Sequence, residues 1–176
     1  QAFHPDERNI AWAVTRIHWF DELNPKFFAY GGLPIYLYKI LSDGVARATG
    51  DPTWTTEWGK IAVVGRYVSA ALSSLSLLLI YLVGFRFFSP PVGVLAMFFL
   101  AFSPWAIREA HFATTETMLV FFLLSLLLTS HRLLTTKKFH TLHFFSIIAG
   151  ILSGFALGAK TTSLLFLVIP LSSIWL

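Results

Sequence analysis

The chain has 176 residues with a mean hydropathy of +0.69; 56% are hydrophobic and only 12% charged, too apolar for one soluble domain and indicative of a membrane protein. It contains no cysteine, which excludes a disulfide framework, a thiolate nucleophile and a thiolate zinc site. The net charge of +4 does not describe a nucleic-acid surface: six cations and seven acids share the first 60 residues, and Arg86, Arg132, Lys137 and Lys138 sit beside apolar runs as membrane flanks do.

The chain opens on polar residues, with neither an initiator methionine nor a basic segment leading into an apolar core, and it closes within the apolar PLSSIWL. Both ends therefore read as cuts in a longer protein. Residues 1–60 are predicted to form an external loop, and 61–176 a membrane-spanning region. Within the loop, DERNIAWAVTRIHWFDEL at 6–23 places Ile10, Ala13, Val14 and Ile17 at helical spacing, with acids in the first turn and Asn24-Pro25 as a stop. LPIYLYKILSDGVARATG at 33–50 repeats the pattern, with Pro34 near its start and Gly50 after its end. Both segments carry Trp or Tyr beside charges, the composition of amphipathic helices lying in the headgroup zone. A small polar cap packed on the spans is the other reading of the same residues.

A spanning helix needs about 20 mostly apolar residues. Five runs approach that length: 61–85, 91–107 with Pro104 inside it, 114–130, 142–158 and 161–176. The predicted fold is thus an all-α, polytopic transmembrane protein with interfacial helices in its first external loop. Alternation puts FRFFSPP at 85–91 and HRLLTTKKFHT at 131–141 on one side of the membrane. The first 60 residues, the REAHFATTE turn and the GAKTT turn fall on the other. Cations near the span ends divide almost evenly, so charge alone does not orient the bundle.

The costly residues fall on one of those sides. His4, Asp6, Glu7 and Arg8 precede the first span, Arg108, Glu109, His111 and Glu116 surround the second turn, and Lys160 marks the third. Ionisable groups at membrane depth are expensive and tend to line cavities or sites. Glu116 stands two residues into an apolar run, where a helix dipole alone would favour an anion by about 0.3–1 kcal/mol. Three chemistries suit the set. A carboxylate can deprotonate an acceptor while cations hold a phosphate leaving group. His4, Asp6, His111 and Glu116 can hold a divalent metal, although their spacing matches no compact motif. Alternatively, the acids and Lys160 can relay protons or ions in a transporter or form an ion-binding scaffold. Lys160 also reads as a lysine snorkelling at a span end, His111 as a packed interfacial histidine, and Trp12, Trp19, Trp54 and Trp58 as interface anchors.

FHPDE at 3–7, GRYVSAALSSLSLLLIYLVGFRFF at 65–88, SPWAIREAHFATTETMLVFFLLSLLL at 103–128 and GILSGFALGAKTTSLLFLVIPL at 150–171 together resemble the membrane-embedded glycosyltransferases of the C superfamily. The similarity is to the protein O-mannosyltransferase and aminoarabinose transferase group. It implies an integral membrane enzyme, with one span before residue 1 and further spans after 176. Its site would lie on the extracytoplasmic face and move a sugar from a polyprenyl-phosphate donor to a protein, lipid or glycan acceptor with inversion. In that family an acidic pair in the first external loop supplies the general base, which falls here on Asp6 with Glu7 beside it. The resemblance carries Glu116, Lys160 and Arg66 to the substrate. Arg108 and His111, at the same turn as Glu116, complete the candidate substrate-binding set. These residues fix no cofactor, leave a divalent metal as an optional add-on, and do not include nucleic acid among the expected partners.

Overall fold

The computed structural model describes residues 4–175, with side chains through Ser173; Phe3, the first residue of the FHPDE motif, and Leu176, the last of the fifth apolar run, lie outside the described residues. Among the described residues the structure is helical, with no strand beyond an isolated bridge between His18 and Glu22. Helix α1 spans Pro5–Thr15 and α2 spans Leu33–Thr49. The short α3, Thr53–Thr56, leads into α4, Trp58–Phe87. Then come α5, Pro90–Ala101, α6, Pro104–Ala110, α7, Glu116–Thr135, and α8, Phe139–Ala159. A 3-10 stretch, Thr161–Leu167, runs into α9, Val168–Trp175.

Among the described residues three helices, α4, α7 and α8, are long and apolar enough to cross a membrane. At 1.5 Å per residue, α4 with its 30 residues is about 45 Å long and overshoots a hydrocarbon core of about 30 Å. The run expected as a second span is instead a pair, α5 and α6, bent by 64°, which makes a fourth crossing if the pair is counted as one. Pro104 explains the bend, because it has no N–H to donate and keeps Ser103 out of the helical region. Ser103 then caps α6, its hydroxyl accepting from the Ala106 N–H at 3.5 Å. The expected fifth run is a short apolar helix over Thr161–Ser173 that begins as 3-10 turns. Lys160 is extended, with φ −158° and ψ 133°, and separates α8 from those turns.

The loop departs from expectation at one place. The helix expected over 6–23 ends at Thr15, and the chain turns back at His18–Glu22, with the His18 N–H donating to the Glu22 carbonyl at 2.8 Å. Phe20, with φ 74°, sits in the left-handed region, which no helix accommodates. The periodic aliphatics predicted for this segment point inward: Ile10, Ala13, Val14 and Ile17 are buried with Ile35 and Tyr38 of α2, Ile61 of α4, Met118 of α7 and Ala156 of α8. Its exposed aromatics, Trp12, Trp19 and Phe20, lie on other faces. One core thus joins the first 60 residues to the spans.

Helix α4 packs along α5 and α7, and α7 along α8. The α4–α5 contact is close because two glycines meet: a Cβ on Gly84 would lie 2.6 Å from the Gly93 Cα and 2.8 Å from its nitrogen. These are backbone atoms and cannot swing aside. Gly150 on α8, by contrast, has nothing within 4 Å of its Cβ position. Gly84→Ala should therefore lower stability by about 1–3 kcal/mol through overpacking. Gly150→Ala should be neutral or stabilising by up to about 1 kcal/mol. Thermal unfolding of the two variants in detergent measures the difference.

Candidate functional site

One end of the bundle carries the clustered charge. Helix α1 begins with Pro at its first position and His4 as its cap, where the imidazole Nδ1 accepts from the Asp6 N–H at 3.3 Å. This sets the first turn, and successive residues of a helix project about 100° apart. Asp6 and Glu7, adjacent in sequence, consequently face different surroundings.

Glu7 points into the protein and is fully buried. Its Oε1 accepts from Arg66 Nε at 2.6 Å and its Oε2 from Arg66 Nη2 at 2.8 Å, a two-point clamp between α1 and α4. Oε1 also accepts the Ala113 N–H at 3.1 Å, which brings in the turn before α7. The Arg66 guanidinium lies 5.8 Å from the Phe112 ring centre, and that ring sits 5.5 Å from His4.

Asp6 is half-exposed, with its carboxylate 3.8 Å from His4 Nδ1. It faces Tyr30, whose phenol is pushed up to about 12, first by burial and then by hydrogen bonding to Asp6 and by the charges of Asp6 and Glu116. Tyr30 therefore remains a neutral hydroxyl at any physiological pH. Glu116, in the first turn of α7, accepts from Lys160 Nζ at 2.7 Å, and that ammonium lies 5.9 Å from the Tyr30 ring centre. Asp6, Tyr30, Glu116 and Lys160 thus come together from four separate segments.

Tyr30 is not among the residues predicted from sequence. Its signal was the Gly31-Gly32 immediately after it. The Gly31 N–H donates to the Ala159 carbonyl at 3.1 Å, and a Cβ at Gly31 would lie 1.9 Å from the Gly158 oxygen. Only a glycine admits so close an approach, and through it the loop is held against the end of α8, beside Lys160.

The remaining candidates have other partners. The exposed Arg108 turns onto its neighbour Glu109, donating from Nη2 to Oε1 at 2.8 Å; Glu109 is buried and accepts at 2.9 Å from the Thr114 hydroxyl as well. His111 is exposed and its Nδ1 meets the Ile107 carbonyl at 2.6 Å. Among the described residues no three His, Asp or Glu side chains form a group that could hold a metal ion, so His4, Asp6, His111 and Glu116 are not gathered as a ligand set.

Residues 57–175 match the model of the family described as dolichyl-phosphate-mannose-protein mannosyltransferase. The chain belongs to that family. This mannosyltransferase family accounts for the membrane-crossing helices and makes the chain part of a glycosyltransferase system. The match includes Arg66, Glu116 and Lys160, and begins after Asp6, Glu7 and Tyr30. No curated protein and no solved structure matches the chain.

The two ion pairs of the site should differ in energetic weight. Glu7→Gln removes one partner of a buried pair and should destabilise the protein by about 3–5 kcal/mol. Glu116→Gln breaks a pair whose side chains retain 33% and 26% exposure and should cost at most about 1 kcal/mol. Thermal denaturation in detergent separates the two.

Proposed function

We propose that the chain belongs to a glycosyltransferase that moves a sugar from a polyprenyl-phosphate carrier to an acceptor, at the extracytoplasmic face of the membrane. The observation that carries this reading is the meeting of a half-exposed carboxylate, Asp6, with a lysine, Lys160, around a neutral phenol at the rim of the spans.

The chemistry requires an acceptor X–H to attack the anomeric carbon while the bond from that carbon to the carrier phosphate breaks. Asp6 takes the acceptor proton as the new C–X bond forms, and the polyprenyl phosphate leaves with the electron pair. The lysine ammonium offsets the charge gathering on that phosphate. Lys160 has three N–H donors, and Glu116 engages one. Glu116 thus serves to orient the lysine, with donors left for phosphate. Tyr30, a neutral hydroxyl beside Asp6, is a donor available to that carboxylate. Glu7 and Arg66 are positioning residues in this scheme, since each satisfies the other away from the substrate. A polyprenyl tail stays in the bilayer, which is why the reacting groups belong at its edge.

The extracytoplasmic face follows from the family resemblance, because cations near the span ends divide almost evenly between the two sides. At the site end, Lys60, Arg66, Arg108 and Lys160 are each paired with a carboxylate. Among the described residues Arg86, Arg132, Lys137 and Lys138, at the opposite end, have no such partner.

Asp6→Asn in the complete protein should reduce transfer from a polyprenyl-phosphate sugar by about 10²–10⁴-fold, with helical content and membrane insertion unchanged. Radiolabelled sugar transfer in proteoliposomes measures it. Wild-type turnover in this variant, or ion flux through the same liposomes that Asp6→Asn abolishes, would reject the enzymatic reading.

A further inference from the structure

The end of the bundle remote from Asp6 holds a second constellation. Between α4, α7 and α8 lies a groove of about 320 Å³ lined by Arg86, His131 and Arg132 together with the apolar Leu82, Leu128 and Phe145. The two arginines come from different helices and both are exposed, while His131 is half-buried with its ring 4.8 Å from that of Phe87. Arg86 also leans over the Phe85 ring at 5.6 Å.

Charge makes this groove unusual. All nine acids of the chain precede residue 117, and none falls between Glu57 and Glu109. Every carboxylate therefore belongs to the loop side or to the turn that opens α7. Arg86 lies 20 residues beyond Arg66 on one helix, about 30 Å away, and Lys137 and Lys138 come directly after α7. A snorkelling arginine at a span end ordinarily stands alone with its head in water. Here guanidinium groups from two helices share one groove with no carboxylate to offset their repulsion. A guanidinium fork matches a phosphate in geometry as well as in charge, and Leu82, Leu128 and Phe145 add apolar side chains to the same groove.

We infer that this groove is a binding site for the phosphate of an anionic lipid headgroup in the leaflet opposite the site of sugar transfer, with Arg86 and Arg132 as the phosphate ligands and His131 beside them. An acyl chain lies along Leu82, Leu128 and Phe145. The site is independent of the reaction proposed above, because no group of one reaches the other.

The test uses the purified full chain in an uncharged detergent, presented with phosphatidylglycerol or phosphatidylcholine and probed by native mass spectrometry. The wild type should retain phosphatidylglycerol in preference to phosphatidylcholine. Arg86→Gln/Arg132→Gln should lose that retention by about tenfold or more, the effect of removing charge-assisted hydrogen bonds. Lys137→Gln/Lys138→Gln, which removes two nearby charges outside the groove, should leave it near the wild-type level. All four side chains are exposed, so the variants are expected to fold, and circular dichroism verifies it. Inorganic phosphate at equal concentration should not displace the lipid. Displacement would support the phosphate site but make its natural ligand a soluble anion. Equal retention by Arg86→Gln/Arg132→Gln, or equal binding of phosphatidylcholine, would overturn the site.

Discussion

The structure at its charged end depends on the burial of one ion pair. Glu7 and Arg66 are held at 2.6 and 2.8 Å, and the carboxylate has no solvent exposure. Burying two charges is tolerable only when geometry and further hydrogen bonds are complete, and the Ala113 N–H provides the additional bond. A single carboxylate consequently ties the first helix, the first span and the turn opening α7 to one point. Neither the loop nor the turn could shift without leaving a charge unpaired in the interior.

That constraint gives two neighbouring acids separate roles. With Glu7 directed inward, the helix turns Asp6 outward, toward Tyr30 and the Lys160–Glu116 pair. Tyr30 is brought there by the close approach of Gly31 to the end of α8. The lysine is in place because α8 ends at Ala159 and Lys160 leaves it extended. A rigid inner pair and a partly solvated outer cluster suit the division between a scaffold and groups that must exchange protons and contact a substrate.

Much of this could be read in the sequence, and the exceptions have identifiable causes. The spans α4, α7 and α8 were legible because crossing hydrocarbon demands long apolar runs. Alternation supplied the sidedness of the turns, and the contacts of Arg66, Ala113 and Ala159 with the loop agree with it. The 161–176 run was apolar enough to suggest another crossing, but apolarity does not report helix type. Ser163 turns both its N–H and its hydroxyl to the Lys160 carbonyl, and 3-10 turns result. The early end of α1 was hidden because the aliphatic period continues through Ile17 while the backbone already turns. Asp6 and Glu7 could not be told apart from composition; only the helix rotation assigns one to the interior. Tyr30 had one signal, the Gly31-Gly32 that follows it, but its role arises from contact with residues far along the chain.

The Glu7–Arg66 pair is what holds Asp6 beside Lys160, and cross-linking tests that arrangement most directly. Since the chain has no native cysteine, Asp6→Cys/Lys160→Cys provides a clean pair for a short bifunctional thiol reagent in native membranes. Efficient cross-linking is expected in that background, with its loss when Glu7→Gln is added. Cross-linking that is absent from the start, or that persists undiminished without Glu7, would contradict the arrangement.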